Sequence, residues 1–212
     1  MKRSPVLMSV LILLVLLAPA ATLFAQNQES PPAEPAQPVE PGISADTYSL
    51  GDQMLSINLG LFIPLFFAGD GINSTNLTLG GVGSIQWNSF LNNNWSLGGE
   101  VGGMFAFTPN KRTLYMVPLT FRATYFVRSY PWEFPLYMGA GIVFSRVEKN
   151  FKLDPILKPG ASIYWNYNPS WSFGLNLVYW WIPQIYSGPE PPSSDTRYGN
   201  FLETTLSALY HF

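Results

Sequence analysis

The sequence has no cysteine and a single histidine, His211. This excludes disulfides, thiolate metal centres, cysteine nucleophiles and a lipid-modified N-terminal cysteine. Charge is also scarce. Only 11% of the 212 residues are Asp, Glu, Lys or Arg, and the formal net charge is -2, against roughly 25% charged residues in an average soluble domain. With no basic cluster, nucleic acid is not an expected partner. Beyond the N-terminus no apolar run reaches the roughly 18 to 20 residues that a membrane-spanning helix needs. Catalytic chemistry is equally thin, because a serine nucleophile would need a base and the lone histidine stands next to the last residue. The acidic residues of "SGPEPPSSDTR" sit among prolines and do not suggest a convergent pair of carboxylates. No metal-ligand spacing or cofactor motif is present, so a non-enzyme without cofactor is expected.

What the chain does have is aromatics, at 16%, and 18 glycines. A protein this poor in charge and without spanning helices can still live in a bilayer as a closed barrel of alternating strands. The alternation is present throughout. "LSINLGLFI" sets Leu55, Ile57, Leu59, Leu61 and Ile63 against Ser56, Asn58, Gly60 and Phe62. "LTLGGVGSIQW" sets Leu77, Leu79, Ile85 and Trp87 against Thr78, Gly80, Ser84 and Gln86, and "WSLGGEVGGMFAF" puts Glu100 among glycines on the polar side. "YMVPLTFRATYF" turns Thr120, Arg122 and Thr124 inward, followed by "LYMGAGIVF", "KPGASIYWN", "WSFGLNLVYWW" and the closing "FLETTLSALYHF". The count is eight strands. A soluble sandwich or lipocalin-like barrel would carry many Lys and Glu on its outer face, and these faces carry almost none.

The ends are different in kind. Lys2 and Arg3, then "VLMSVLILLVLL" and "APAATLFA", read as a signal peptide over residues 1–25, with an uncleaved anchor as the alternative. Residues 26–47 are proline-rich and acidic with few large apolar groups, and should form an extended spacer in the periplasm. Residues 48–212 form the expected barrel. An even strand count puts both chain ends on the periplasmic side and makes the first connection extracellular. The expected outer connections are "FFAGDGINST", "TPNKRT", "SRVEKNFKLDP" and "PQIYSGPEPPSSDTRYGN"; the inner ones are "NSFLNNN", "VRSYPWEFP" and "NYNPS". Aromatics near the inner connections, namely Trp87, Phe90, Trp95, Tyr125, Phe126, Tyr130, Trp132, Trp165, Tyr167, Trp171, Tyr210 and Phe212, are expected to form an interfacial girdle.

Glu100, Arg122 and Glu203 are the charges that parity places inside. Ionisable groups at membrane depth are costly unless paired or hydrated, so Glu100 and Arg122, on adjacent strands, are expected to pair. They could plug the lumen or form a solute-selective constriction. Tyr164, Val178 and Trp180 share the inward parity, as lumen packing or as the lining of an apolar passage.

The stretch "VPLTFRATYFVRSYPWEFPLYMGAGIVF" resembles the OmpW family of small outer-membrane barrels. Pro118, Leu119, Tyr125, Phe126, Pro135, Tyr137, Gly139, Ala140 and Gly141 carry the likeness, with Leu136 intervening where that family joins proline directly to tyrosine. "PGASIYWNYNPSWSFGLNLVYWWI" and "SALYHF" are similar to its next hairpin and closing strand. The resemblance implies a monomeric, eight-stranded, up-and-down barrel in the outer membrane that passes small, largely hydrophobic solutes. Terminal Tyr210 and Phe212 are expected to address the chain to the barrel-insertion machinery. Eight strands leave room only for side chains or one small ligand, so passage would be narrow or gated. The alternative is a plugged barrel acting in surface binding, adhesion or membrane structure through its long loop from Pro183 to Asn200.

Overall fold

The computed structural model describes residues 48–69, 77–108, 112–147, 150–185 and 196–212. The expected signal peptide, the spacer and the middle of the longest loop lie outside these residues. Eight strands follow one another: β1 (Gln53–Ala68), β2 (Gly80–Phe90), β3 (Trp95–Phe107), β4 (Thr113–Ser129), β5 (Trp132–Val147), β6 (Asn150–Asn168), β7 (Trp171–Gln184) and β8 (Arg197–His211). Each pairs antiparallel with its neighbour, and β1 pairs with β8, closing the barrel. Closure satisfies the backbone groups that an open sheet edge would leave unpaired, which a strand needs in a medium without water. Phe212 takes part in this closure: its N–H donates to the Gln53 carbonyl at 3.0 Å, and the Gln53 N–H donates to its carbonyl at 2.9 Å.

Side chains alternate as the sequence pattern requires. In β3, Ser96, Gly98, Glu100, Met104 and Ala106 are buried, while Trp95, Val101, Phe105 and Phe107 are exposed. Among the described strand residues the large exposed side chains are aliphatic and aromatic, Arg146 apart, with Leu206 at 70% and Phe121 at 61%. Such a surface suits hydrocarbon, not water, and this is a transmembrane barrel.

The prolines show how the ladder tolerates a residue without an N–H. Pro118 falls in a gap of the β3–β4 pairing between Leu119 and Met116, and Pro135 in a gap of β5–β6 between Glu133 and Leu136. Pro159 falls in the β6–β7 gap between Leu157 and Gly160. Each of the three remains paired with its other neighbouring strand.

Strands run further than the sequence pattern suggests. "SRVEKNFKLDP" is not a loop, because β5 continues through Val147 and β6 begins at Asn150. "VRSYPWEFP" contributes only Tyr130 and Pro131 to a turn. Leu77 precedes β2 and packs against the interior, not beside Leu79 on the outside. The start of β1, the end of β8 and the turns after β2, β4 and β6 share one end of the barrel, the turn end; the other four connections define the loop end.

The interior is layered. At the turn end Met54, Phe90, Phe126, Tyr164 and Leu209 pack together with Tyr48. Phe90 and Phe126 are therefore not girdle residues: they are fully buried, because their parity turns them into the lumen. The other aromatics assigned to the girdle are exposed. At the loop end Phe62, Val82, Met104, Met116, Trp180 and Phe201 belong to a larger apolar cluster. A polar layer lies between the two.

Candidate functional site

The polar layer is built around Lys158. By alternation from Ser162 and Tyr164, Lys158 faces the lumen, and its ammonium is bonded to Glu100 Oε1 of β3 and lies 3.0 Å from Glu203 Oε2 of β8. It also stands 4.3 Å from the centre of the Trp180 ring. Arg122 pairs with the other oxygen of Glu100, donates to Gln86 Oε1 at 2.7 Å, and sits 4.0 Å over the Tyr137 ring. Trp180 Nε1 donates to Glu203 Oε2 at 2.6 Å. Two cations thus meet two carboxylates, and none of the four side chains is more than 3% exposed. Desolvating an ion costs several kcal/mol, recovered only when its partners are close and its remaining hydrogen-bonding capacity is filled. Here most of it is.

Toward the turn end an amide network continues the seal. The Asn176 amide donates to Asn58 Oδ1 at 3.1 Å and to Thr205 Oγ1 at 2.9 Å, while its carbonyl oxygen accepts from Ser162 at 2.6 Å and Tyr164 at 3.1 Å. Asn58 in turn donates to Ser84 at 3.0 Å. One buried side chain therefore links β1, β6, β7 and β8.

Glu100 and Arg122 pair as their adjacent strands suggest, and Glu203 joins them. Val178 and Trp180 belong to the loop-end cluster, whereas Tyr164 lies in the turn-end cluster and reaches the polar layer only through its hydroxyl. Tyr210 and Phe212 are on the outside, their rings centred 5.9 Å apart, with Trp171 5.0 Å from Tyr210. Lys158 was not among the residues singled out from sequence, although extending the β6 alternation across Pro159 places it inside.

The turn end is closed by a chain of contacts from Tyr48. Its ring stacks on Phe90 at 4.0 Å, Arg128 lies 4.0 Å above it, and its hydroxyl is 3.1 Å from His211 Nδ1. His211 Nε2 is 2.9 Å from Ser172 Oγ. This resembles a nucleophile and base, but the Ser172 hydroxyl donates to Asn166 Oδ1 at 2.6 Å, so its proton points away from the imidazole. Ser172 is also 1% exposed. The group acts as a latch.

At the loop end a recess of about 250 Å³ opens among Phe67, Leu114, Met116, Ile182 and Phe201, with Ser145, Lys152 and Gln184 as its polar lining. Its walls are largely apolar. The Ser145 hydroxyl, on a residue 7% exposed, has no hydrogen-bond partner there.

Comparison with known proteins agrees with this architecture. The model of an uncharacterised protein family matches residues 34–210. An uncharacterized protein of Treponema pallidum (strain Nichols) is 28% identical over 175 residues, covering 77% of this chain and 78% of that protein. Another, from Borreliella burgdorferi, is 28% identical over 149 residues, covering 59% of this chain and 70% of that protein. Among solved structures, Neisserial surface protein A superposes with a TM-score of 0.59 at 10% identity, covering 76% of this chain and 97% of that one. A major outer membrane protein from Thermus thermophilus gives 0.55 at 14% identity, covering 77% and 100%. At these identities the likeness is one of fold.

Proposed function

The chain belongs to the uncharacterised protein family matched across residues 34–210, and from its geometry we propose that it is an outer-membrane barrel with a sealed lumen that works through its loop end. One observation carries this reading: Lys158 joins Glu100 and Glu203 across the interior, with the Trp180 ring against it and all of them buried. A solute moving along the axis would have to break both of these ion pairs and then pass the Phe62, Trp180 and Phe201 stack, whose ring centres lie 5.0 and 5.2 Å apart. Separating buried ion pairs costs several kcal/mol, so the barrel holds its lumen shut. In this reading the monomer has its termini in the periplasm, presents its loops outside the cell for surface binding or membrane structure, and enters the bilayer through the insertion machinery that recognises Tyr210 and Phe212.

A second reading rests on the loop-end recess. Its largely apolar walls, with the unpartnered Ser145 hydroxyl, Lys152 and Gln184 among them, suit a small, largely hydrophobic solute with a polar group. This is the solute class implied by the likeness to the OmpW family. Such a solute would enter at the loop end and leave through the wall or past Phe201.

Vesicles carrying the full chain separate these readings. With a sealed lumen, osmotic swelling in a small sugar is as slow as in protein-free vesicles, and rapid swelling overturns it. Faster entry of a small apolar dye than into protein-free vesicles would favour the second reading.

A further inference from the structure

The polar layer is unequal around the barrel. Across β6, β7 and β8 the Asn176 carboxamide is bonded through both its nitrogen and its oxygen. Across β1 to β4 the inward polar atoms are as deeply buried and lack hydrogen-bond partners among the described residues. Six such atoms are Nδ2 and Oδ1 of Asn88, Oγ of Ser56 and of Ser96, Oγ1 of Thr124 and Nε of Arg122. None of these five residues is more than 3% exposed. An unpaired buried donor or acceptor gives up its hydration for nothing, and six together would rival the whole net stability of an ordinary domain.

Register brings these atoms together. Asn88 of β2 and Arg122 of β4 both pair with Gly98 of β3. A Cβ on Gly98 would lie 2.2 Å from Asn88 Oδ1, so the carboxamide lies over the glycine that separates it from the arginine. Oδ1 accepts and Nε donates, yet the two do not bond each other. The guanidinium is held only by its terminal nitrogens, to Gln86 and Glu100. One inward position nearer the turn end, Ser96 and Thr124 are direct partners across β3 and β4, and their hydroxyls do not bond either.

The set mixes donors with acceptors, and the arginine charge in it is already met by Glu100. A ligand here must donate and accept at once without charge. It must also be small, because Met54, Phe90 and Phe126 close the turn end.

We infer that Asn88, Ser96, Thr124 and Arg122 line a site for a cluster of ordered waters, sealed into the barrel beside the ion pairs. One water bridges Asn88 Oδ1 and Arg122 Nε, and another joins the Ser96 and Thr124 hydroxyls. About two or three waters, each making roughly three hydrogen bonds, satisfy the six atoms. The cluster completes the hydrogen bonding of Arg122 where the protein supplies no acceptor, and so helps hold it against Glu100. This rests on the interior packing alone and holds whether the loop end takes up a solute or binds a surface.

Two measurements on the full chain test the site. A crystal structure that resolves ordered solvent should show a water within hydrogen-bond distance of both Asn88 Oδ1 and Arg122 Nε. Direct bonds among these side chains, or a detergent tail between them, would overturn it. Thr124→Val keeps the volume and removes the hydroxyl. With water present, the ratio of folded to unfolded barrel, read by urea unfolding in lipid vesicles, should fall roughly tenfold as the cluster loses a partner. In a dry site the same change relieves a buried unpaired hydroxyl, so an unchanged or higher ratio would overturn the proposal. Should Thr124→Val fail to insert, Ser96→Ala carries the same opposed outcomes.

Discussion

Lys158 reaches past β7 to place its ammonium 3.0 Å from Glu203 Oε2, joining two strands that are not neighbours in the barrel. Because the same ammonium also holds Glu100, which keeps Arg122 on its other oxygen, its removal leaves Glu203 buried without its cation. Lys158→Met is expected to destabilise the barrel by about 3–5 kcal/mol, the cost of breaking a buried pair from one side. Urea unfolding in lipid vesicles measures it. Combining Lys158→Met with Glu203→Gln should recover some of the loss, since the second change removes the stranded charge.

Gly174 faces Tyr164 directly across the β6–β7 ladder. A Cβ at position 174 would run into both the Tyr164 ring and the Ile163 carbonyl oxygen, whereas one at Gly103 would meet nothing within 4 Å. Gly174→Ala should therefore cost about 1–3 kcal/mol through overpacking. Gly103→Ala should stay within about 0.5 kcal/mol of wild type. The pair of unfolding midpoints checks that crowding at Gly174, and not glycine as such, is what matters.

Tyr48 closes the turn end by two separable interactions, its ring against Phe90 and Arg128 and its hydroxyl at His211. Tyr48→Phe keeps the first and loses the second, for an expected loss of about 0.5–1.5 kcal/mol. Tyr48→Ala loses both and should cost more, by about 1–2 kcal/mol from stacking and cation–π contact. Comparing the two variants by vesicle unfolding apportions the latch.

The barrel was legible in the sequence because an alternating pattern answers to one physical demand, an apolar outer face, repeated eight times. Inward positions followed from the same parity, so Glu100, Arg122 and Glu203 were found and the Glu100 pair could be expected. Lys158 escaped because it opens the stretch "KPGASIYWN", where Pro159 and Gly160 interrupt the alternation that is plain from Ala161 onward; the ladder accommodates Pro159 by leaving its β6–β7 position unpaired. Phe90 and Phe126 were grouped with their aromatic neighbours by closeness to turns, where parity alone decides between interface and lumen. The latch joining Tyr48, His211 and Ser172 brings together residues up to 163 positions apart, and no local pattern encodes such a meeting.

The sealed lumen is tested most directly by electrical recording from single wild-type barrels in a planar bilayer. The account predicts no current steps above the bare membrane at moderate voltage, with Lys158 holding Glu100 and Glu203 together. Long-lived ohmic steps from folded wild-type protein would contradict it.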